Sequence, residues 1–188
     1  MSAVRDTKQK ILNLAEDLFQ RKGYNAFSYH HIAVELGIKN AAIHYHYPTK
    51  EALCLELVKR DHDRFTDGAV KTQPADWWEK LNWFFGIYEH NLKNQGRVCM
   101  VASVARDYLT LSDEIRNEAQ LLVIDILEWL TDLLHQGKQS GICDYKGTAE
   151  AKAVVLAATM AGSLLVARIG GQDQFYQIVD QIKLELTP

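Results

Sequence analysis

At 188 residues, 47% of them hydrophobic, the chain has apolar material for one large domain or two small ones. A net charge of −3 excludes a uniformly basic nucleic-acid coat, but the charge is unevenly spread. Residues 1–50 carry seven Lys/Arg against four Asp/Glu, whereas residues 51–188 carry fourteen against twenty. A basic head on an acidic body suits a nucleic-acid contact confined to the head.

The spacing of Ile11, Leu14, Ala15, Leu18 and Phe19 predicts a first helix over Thr7–Lys22. Arg21 and Lys22 suit its negative end, and Gly23 stops it. Tyr24, Ala26 and Phe27 lead to Ser28, a good N-cap for a second helix carrying Ile32, Ala33 and Leu36. Gly37 supplies the positive φ of a sharp exit, and Ile38 and Ile43 close the corner from the far side. Ala33 matters by being small, because a larger side chain would push the next helix away. The outward positions between Lys39 and His46 are short or polar, fit to enter a major groove.

Pro48 is expected to open a fourth helix that reaches about Gly68 through Leu53, Leu57 and Phe65. A fifth, about Ala75–Asn94, holds Trp77, Leu81, Phe84, Phe85, Tyr88 and Leu92 on one side, and Gly96 breaks it. A sixth covers Val98–Tyr108. Ser112 caps a seventh that runs to about Gln139 with two apolar stripes. One is Ile115, Ala119, Leu122, Ile126, Trp129 and Leu133; the other is Val123, Leu127, Leu130 and Leu134. The eighth, Thr148–Ile169, is apolar almost all round, with small residues every four positions (Ala153, Ala157, Ala161). Such a helix must be buried, and a second copy of the chain buries it most economically, so the seventh and eighth helices are read as a two-fold dimer interface. A last helix covers Asp173–Leu186. The expected class is all-α: a three-helix head with a helix-turn-helix corner, and a helical body that dimerises.

Ile32, Ala33, Leu36, Gly37, Ile38 and Ile43 meet the demands of a helix-turn-helix. With Tyr45-His46-Tyr47-Pro48-Thr49-Lys50-Glu51-Ala52-Leu53 following, the segment resembles the N-terminal signature of the TetR family of transcriptional regulators. The resemblance is specific over residues 7–53 and architectural beyond. It implies residues 1–47 as the DNA-binding domain and 48–188 as the ligand-binding and dimerisation domain, with 48–68 as the connecting helix. Carried over position by position, it makes Lys39, Asn40, Ala41, Ala42 and Tyr45 the base-edge or groove-wall residues. Ser28, His44, His46 and Lys50 fall where the family meets phosphate. Ala42 stands where many relatives have Ser or Thr, and His44 where they have Tyr.

Relatives bind a small effector in the helical body. Trp78, Phe85, Tyr88, Met100, Ser103, Tyr108 and Trp129 are the expected lining of such a site for an apolar or aromatic molecule. Gly96-Arg97-Val98-Cys99-Met100 resembles a helix entry found in part of the family, which makes Cys99 a candidate reactive thiol.

Three widely spaced cysteines, Cys54, Cys99 and Cys143, read as reduced thiols, and the opening residues lack the apolar stretch of a secretory signal; the expected location is the cytoplasm. The longest uncharged run, Ala153–Ala167, is too short and mixed to span a bilayer. His44 and His46 at i and i+2 point apart on a helix, so no metal site is expected, nor any cofactor. A di-iron carboxylate bundle needs Glu-x-x-His on two helices, and the nearest match is one Asp132-Leu-Leu-His135. The chain is therefore not read as an enzyme. The reading is a homodimeric DNA-binding regulator, a repressor released from a pseudo-palindromic operator by a small effector. The alternative is a helical ligand- or redox-sensing module acting through a protein partner.

Overall fold

The computed structural model describes residues 2–94 and 96–188, and the regular elements among them are all helical. In order they are α1 (Ser2–Lys22), α2 (Tyr29–Leu36), α3 (Asn40–His46), α4 (Lys50–Lys71), α5 (Trp77–Lys93), α6 (Met100–Asp107), α7 (Asp113–Gln139), α8 (Ala149–Gly170) and α9 (Asp173–Leu186). A 3₁₀ turn, Tyr108–Thr110, joins α6 to α7. The all-α expectation holds. The chain forms two compact units, Met1–Asp63 with Met100–Gln120, and Arg64–Cys99 with Leu121–Pro188.

The first unit is built on the apolar stripe of α1. Ile11, Ala15, Leu18 and Phe19 are buried against Ile32, Ala33 and Ile43, while Leu14 is only half-buried. Three short helices make a small core, and this one is extended by Leu53, Cys54, Leu57 and Val58 of α4, Met100 and Val104 of α6, and Ile115 and Ala119 of α7. Polar contacts tie the same helices together. Arg60 meets Glu16 at 2.9 Å, and His62 meets Glu118 at 2.8 Å.

Pro48 does not open α4. The N-cap is Thr49, whose Oγ1 accepts from the Ala52 N–H at 3.1 Å. Gly68 does not end it either, because α4 continues to Lys71. A β-carbon at Gly68 would fall on the Trp83 ring, so this glycine gives that ring its room.

In the second unit α5 begins at a full capping box. Glu79 N–H donates to Asp76 Oδ1 (2.8 Å), and Asp76 N–H donates to Glu79 Oε2 (3.1 Å). The α5 rings pack mainly on one another and on α7. Trp83 and Trp129 stand edge to face at 5.3 Å, with Phe65 and Phe84 about them. Trp77 Nε1 donates to the Leu133 carbonyl at 2.6 Å, over Gly137, where a β-carbon would strike the indole.

On α7 the two expected stripes are buried or half-buried, and the outward apolar side chains, Leu121 and Ile124, belong to neither. On α8, Ala153, Leu156, Met160, Leu164 and Ala167 face inward against α5 and α9. Val154 (53%), Leu165 (49%) and Ile169 (91%) stay exposed, with Ala158 on the same row. At 22 residues α8 is long and apolar enough to cross a membrane, which the shorter uncharged run does not suggest. The same composition fits a helix covered by protein on every side.

Candidate nucleic-acid interface

The corner α2–α3 is made by its backbone. Ser28 takes an extended N-cap conformation, and its N–H donates to His31 Nδ1 at 3.2 Å, the return half of a capping box. Gly37 turns the chain out of α2 at φ +64°, with Gly37 N–H to Val34 O (3.3 Å) and Ile38 N–H to Ala33 O (3.0 Å) satisfying the last carbonyls. After this turn α3 starts at Lys39 as N-cap and is seated by Ile43, which is fully buried. Tyr29 Oη donates to the Tyr47 carbonyl at 2.8 Å and so ties the end of α3 back to α2.

With Ile43 inward, Lys39, Asn40, Ala41, His44 and Tyr45 stand exposed, and Ala42 and His46 are half-buried. Tyr45 is 77% exposed, a large aromatic side chain that no internal packing explains. Ser28 is exposed at the start of α2. His44 Nδ1 donates to the Pro48 carbonyl at 3.1 Å and its ring stands edge-on to Tyr29 at 4.8 Å. A carbonyl only accepts, so Nδ1 carries the proton in this contact.

Lys50 is placed differently from an open surface lysine. It is half-buried, and its ammonium donates to the carbonyls of Tyr24 and Phe27, the latter at 2.6 Å. It also lies over both rings, 4.3 and 4.5 Å from their centroids. Burial lowers its pKa from the ordinary lysine value, against the opposing pull of Cys54, Asp107 and Glu51. Two of its three N–H groups are thus committed to the loop between α1 and α2, and one is left.

The expected effector-site residues are not all together. Phe85 and Tyr88 are buried in the second unit, with Trp78 and Trp129 half-buried there. Trp78 packs edge-on to Trp77 at 4.8 Å and Trp129 joins the ring cluster. Met100 and Ser103 are buried in the first unit. Tyr108 is exposed on the 3₁₀ turn, with the Arg116 guanidinium 5.4 Å from its ring. In the second unit a groove of about 370 Å³ lies between α8 and α9, floored by Val155, Leu156, Ile178 and Ile182, and contains none of these residues.

Cys99 directly precedes α6 and is 7% exposed. Cys54 and Cys143 are also buried and unbridged, and burial pushes the Cys54 thiol up to about 12. Among the described residues no three His, Cys, Asp or Glu side chains gather as a metal site.

Two groups of residues escape a reading from sequence. One is the Tyr24–Phe27 loop that receives Lys50. The other is Asp107 and Thr110, which hold that loop from its other side, with Arg106 bonded to Phe19 in the last turns of α1. No local spacing marks the second group, since Asp107 is 82 positions from Asn25.

A tight two-helix corner with one anchored and otherwise outward-facing second helix, in an all-helical chain, defines a helix-turn-helix DNA-binding protein. The profile described as bacterial regulatory proteins, tetR family, matches residues 11–57. A TetR-family transcriptional regulator from Agrobacterium tumefaciens is 30% identical, with 98% of this chain and 100% of that one aligned at a TM-score of 0.91. A TetR regulator from Legionella pneumophila is 29% identical over 96% of this chain and 97% of its own, with a TM-score of 0.85. The HTH-type transcriptional regulator in the lacX 3′ region of Lactococcus lactis is 24% identical across 88% of this chain and 85% of its own length. The chain belongs to the TetR family of bacterial transcriptional regulators, which dimerise and bind DNA.

Proposed function

We propose that this regulator is a homodimeric repressor that leaves a pseudo-palindromic operator when a small apolar or aromatic effector binds its body. The observation that supports it best is α3 itself. One buried side chain, Ile43, seats the helix, and Lys39, Asn40, Ala41, Ala42 and Tyr45 are left for base edges and groove walls. Ser28, His44, His46 and the remaining N–H of Lys50 are assigned to phosphates. The functional division is residues 1–47 for DNA and 48–188 for effector and dimer, and the site of action is the cytoplasm.

The exposed α8 row of Val154, Ala158, Leu165 and Ile169 is assigned to the two-fold interface. Two α3 helices related by that axis enter successive major grooves about 34 Å apart. The effector, held among the rings of the body, favours a state in which the two heads have the wrong separation. A tenfold loss of operator affinity requires only about 1.4 kcal/mol of coupling, and operator DNA weakens effector binding by the same factor.

Selection of bound fragments from a random duplex library tests the core of this reading. A two-fold consensus is the expected outcome, and Asn40→Ala should alter the preferred bases at symmetric positions. Recovery of no consensus, or of one without two-fold symmetry, would refute it.

A further inference from the structure

The turn between α1 and α2 is held from two sides. On one side is Lys50 of α4, with the Tyr24 and Phe27 carbonyls. On the other are the end of α6 and the 3₁₀ turn. Asp107 Oδ2 accepts from the Tyr24 N–H at 2.8 Å, and its Oδ1 accepts from Asn25 Nδ2 at 2.9 Å. Asn25 Nδ2 also donates to Thr110 Oγ1 at 2.9 Å, and that hydroxyl donates to the Asp107 carbonyl at 2.9 Å. Arg106 Nη2 donates to the Phe19 carbonyl at 2.7 Å, near the open end of α1.

Gly23 makes the approach possible. It sits at φ +98°, and a β-carbon there would lie 2.5 Å from Asp107 Oδ2 and 2.7 Å from Arg106 Nε. The Asp107 carboxylate is only 12% exposed and is spent on these partners, so it is not part of the surface α3 presents.

We propose that Asp107 is a positioning residue for DNA reading: by fixing the Gly23–Asn25 turn it sets the angle at which α2 and α3 leave α1. The proposal rests on the assignment of α3 to base edges. Apolar contacts between α1 and the corner resist separation, but they are non-directional and permit small rotations. Hydrogen bonds to the backbone and side chain of the turn are directional, and a carboxylate accepting two of them is stronger than a neutral acceptor. A tilt of the seven-residue α3 displaces its outward side chains from the base edges while leaving the charge of the head unchanged.

The test is Asp107→Asn, which keeps the shape but sets an amide NH₂ against either the Tyr24 N–H or the Asn25 NH₂. Affinities are measured at fixed salt for the duplex recovered by the wild-type protein and for a scrambled duplex of equal length, beside thermal unfolding. The ratio of the two affinities should fall about tenfold, the discrimination of one good base contact. Affinity for the scrambled duplex should not fall in Asp107→Asn, which removes a negative charge from the head, and in the charge-neutral Asn25→Ala it and its salt slope should stay at the wild-type values. Adding Asn25→Asp to Asp107→Asn returns an acceptor to the pair and should restore much of the ratio. Asn25→Ala, at an exposed position and so safe for folding, should lower the ratio in the same direction. An unchanged ratio in both single variants overturns the inference, as does a fall in both affinities together with the thermal midpoint. If the wild-type protein recovers no duplex at all, the DNA assignment fails before Asp107 is reached.

Discussion

Lys50→Met removes an ammonium while keeping most of the side chain's apolar length, and the structure sets what is lost. Hydrogen bonds from a charged donor contribute about 1.5–3 kcal/mol each. Lys50 makes two, to the Tyr24 and Phe27 carbonyls, and adds two ring contacts of roughly 0.5–1 kcal/mol each at a partly exposed site. Against this stands the larger cost of half-burying the charge, which is the reason its pKa is lowered, so the loss in Lys50→Met is that of two ordinary N–H hydrogen bonds, which the neutral amine also makes, at about 1 kcal/mol each. A net loss of about 2 kcal/mol is expected, which for a chain of this size shifts the thermal midpoint by roughly 4–8 °C. The pH dependence has a definite sign. With the folded value below the unfolded one, the folded chain gives up this proton first as pH rises. Unfolding therefore becomes harder through that window, so the wild-type advantage over Lys50→Met grows towards alkaline pH. Calorimetric scans of both proteins at neutral and alkaline pH measure the effect. The remaining N–H predicts a second one: the slope of log affinity against log salt should flatten by about 2 for a dimer with one phosphate contact per head. A midpoint within a degree of wild type would refute the internal role, and an unaltered salt slope would refute the phosphate contact.

Tyr47 is 3% exposed, its hydroxyl has no partner, and burial pushes its pKa up to about 12. Tyr47→Phe should thus stabilise the protein by about 1 kcal/mol in urea unfolding, and a loss of stability would contradict this. His44→Ala should weaken operator affinity about fivefold per head while leaving the preferred bases unchanged, and an unaltered affinity refutes the contact. Leu165→Glu places a charge in the exposed α8 row and should give a folded monomer by sedimentation, so a dimer of unchanged stability would move the interface elsewhere. Gly68→Ala should cost about 1–3 kcal/mol because the Trp83 ring occupies the space of the new methyl, outweighing the usual helical gain of alanine. Higher stability in that variant would refute the packing argument.

These predictions separate what the sequence makes legible from what it hides. The corner at Gly37 is local: a cap, a small residue, a glycine and two apolar positions lie within sixteen residues, and the backbone follows them. The ends of α9 are read correctly for the same reason. Gly68 and Pro48 mislead because one residue type serves two physical needs. A glycine ends a helix or lets a ring approach one, and the choice rests with Trp83, fifteen positions away. A proline opens a helix or precedes its cap, and here the neighbouring Thr49 hydroxyl takes the N–H.

The site residues divide along the same line. Those facing outward from α3 are legible because exposure follows once Ile43 is known to be the anchor. The long-range partners of the head are not. Lys50 reads as a surface cation until Tyr24 and Phe27 are seen beneath it, and Asp107 has no signature, since its partners lie more than eighty residues earlier. The aromatic residues of the body show the limit most directly. Helical spacing places Phe84, Phe85 and Tyr88 on one face, but a ring that packs on another ring and a ring that lines a ligand site have the same spacing. Periodicity identifies which side chains are buried; what they are buried against is decided by helices elsewhere in the chain.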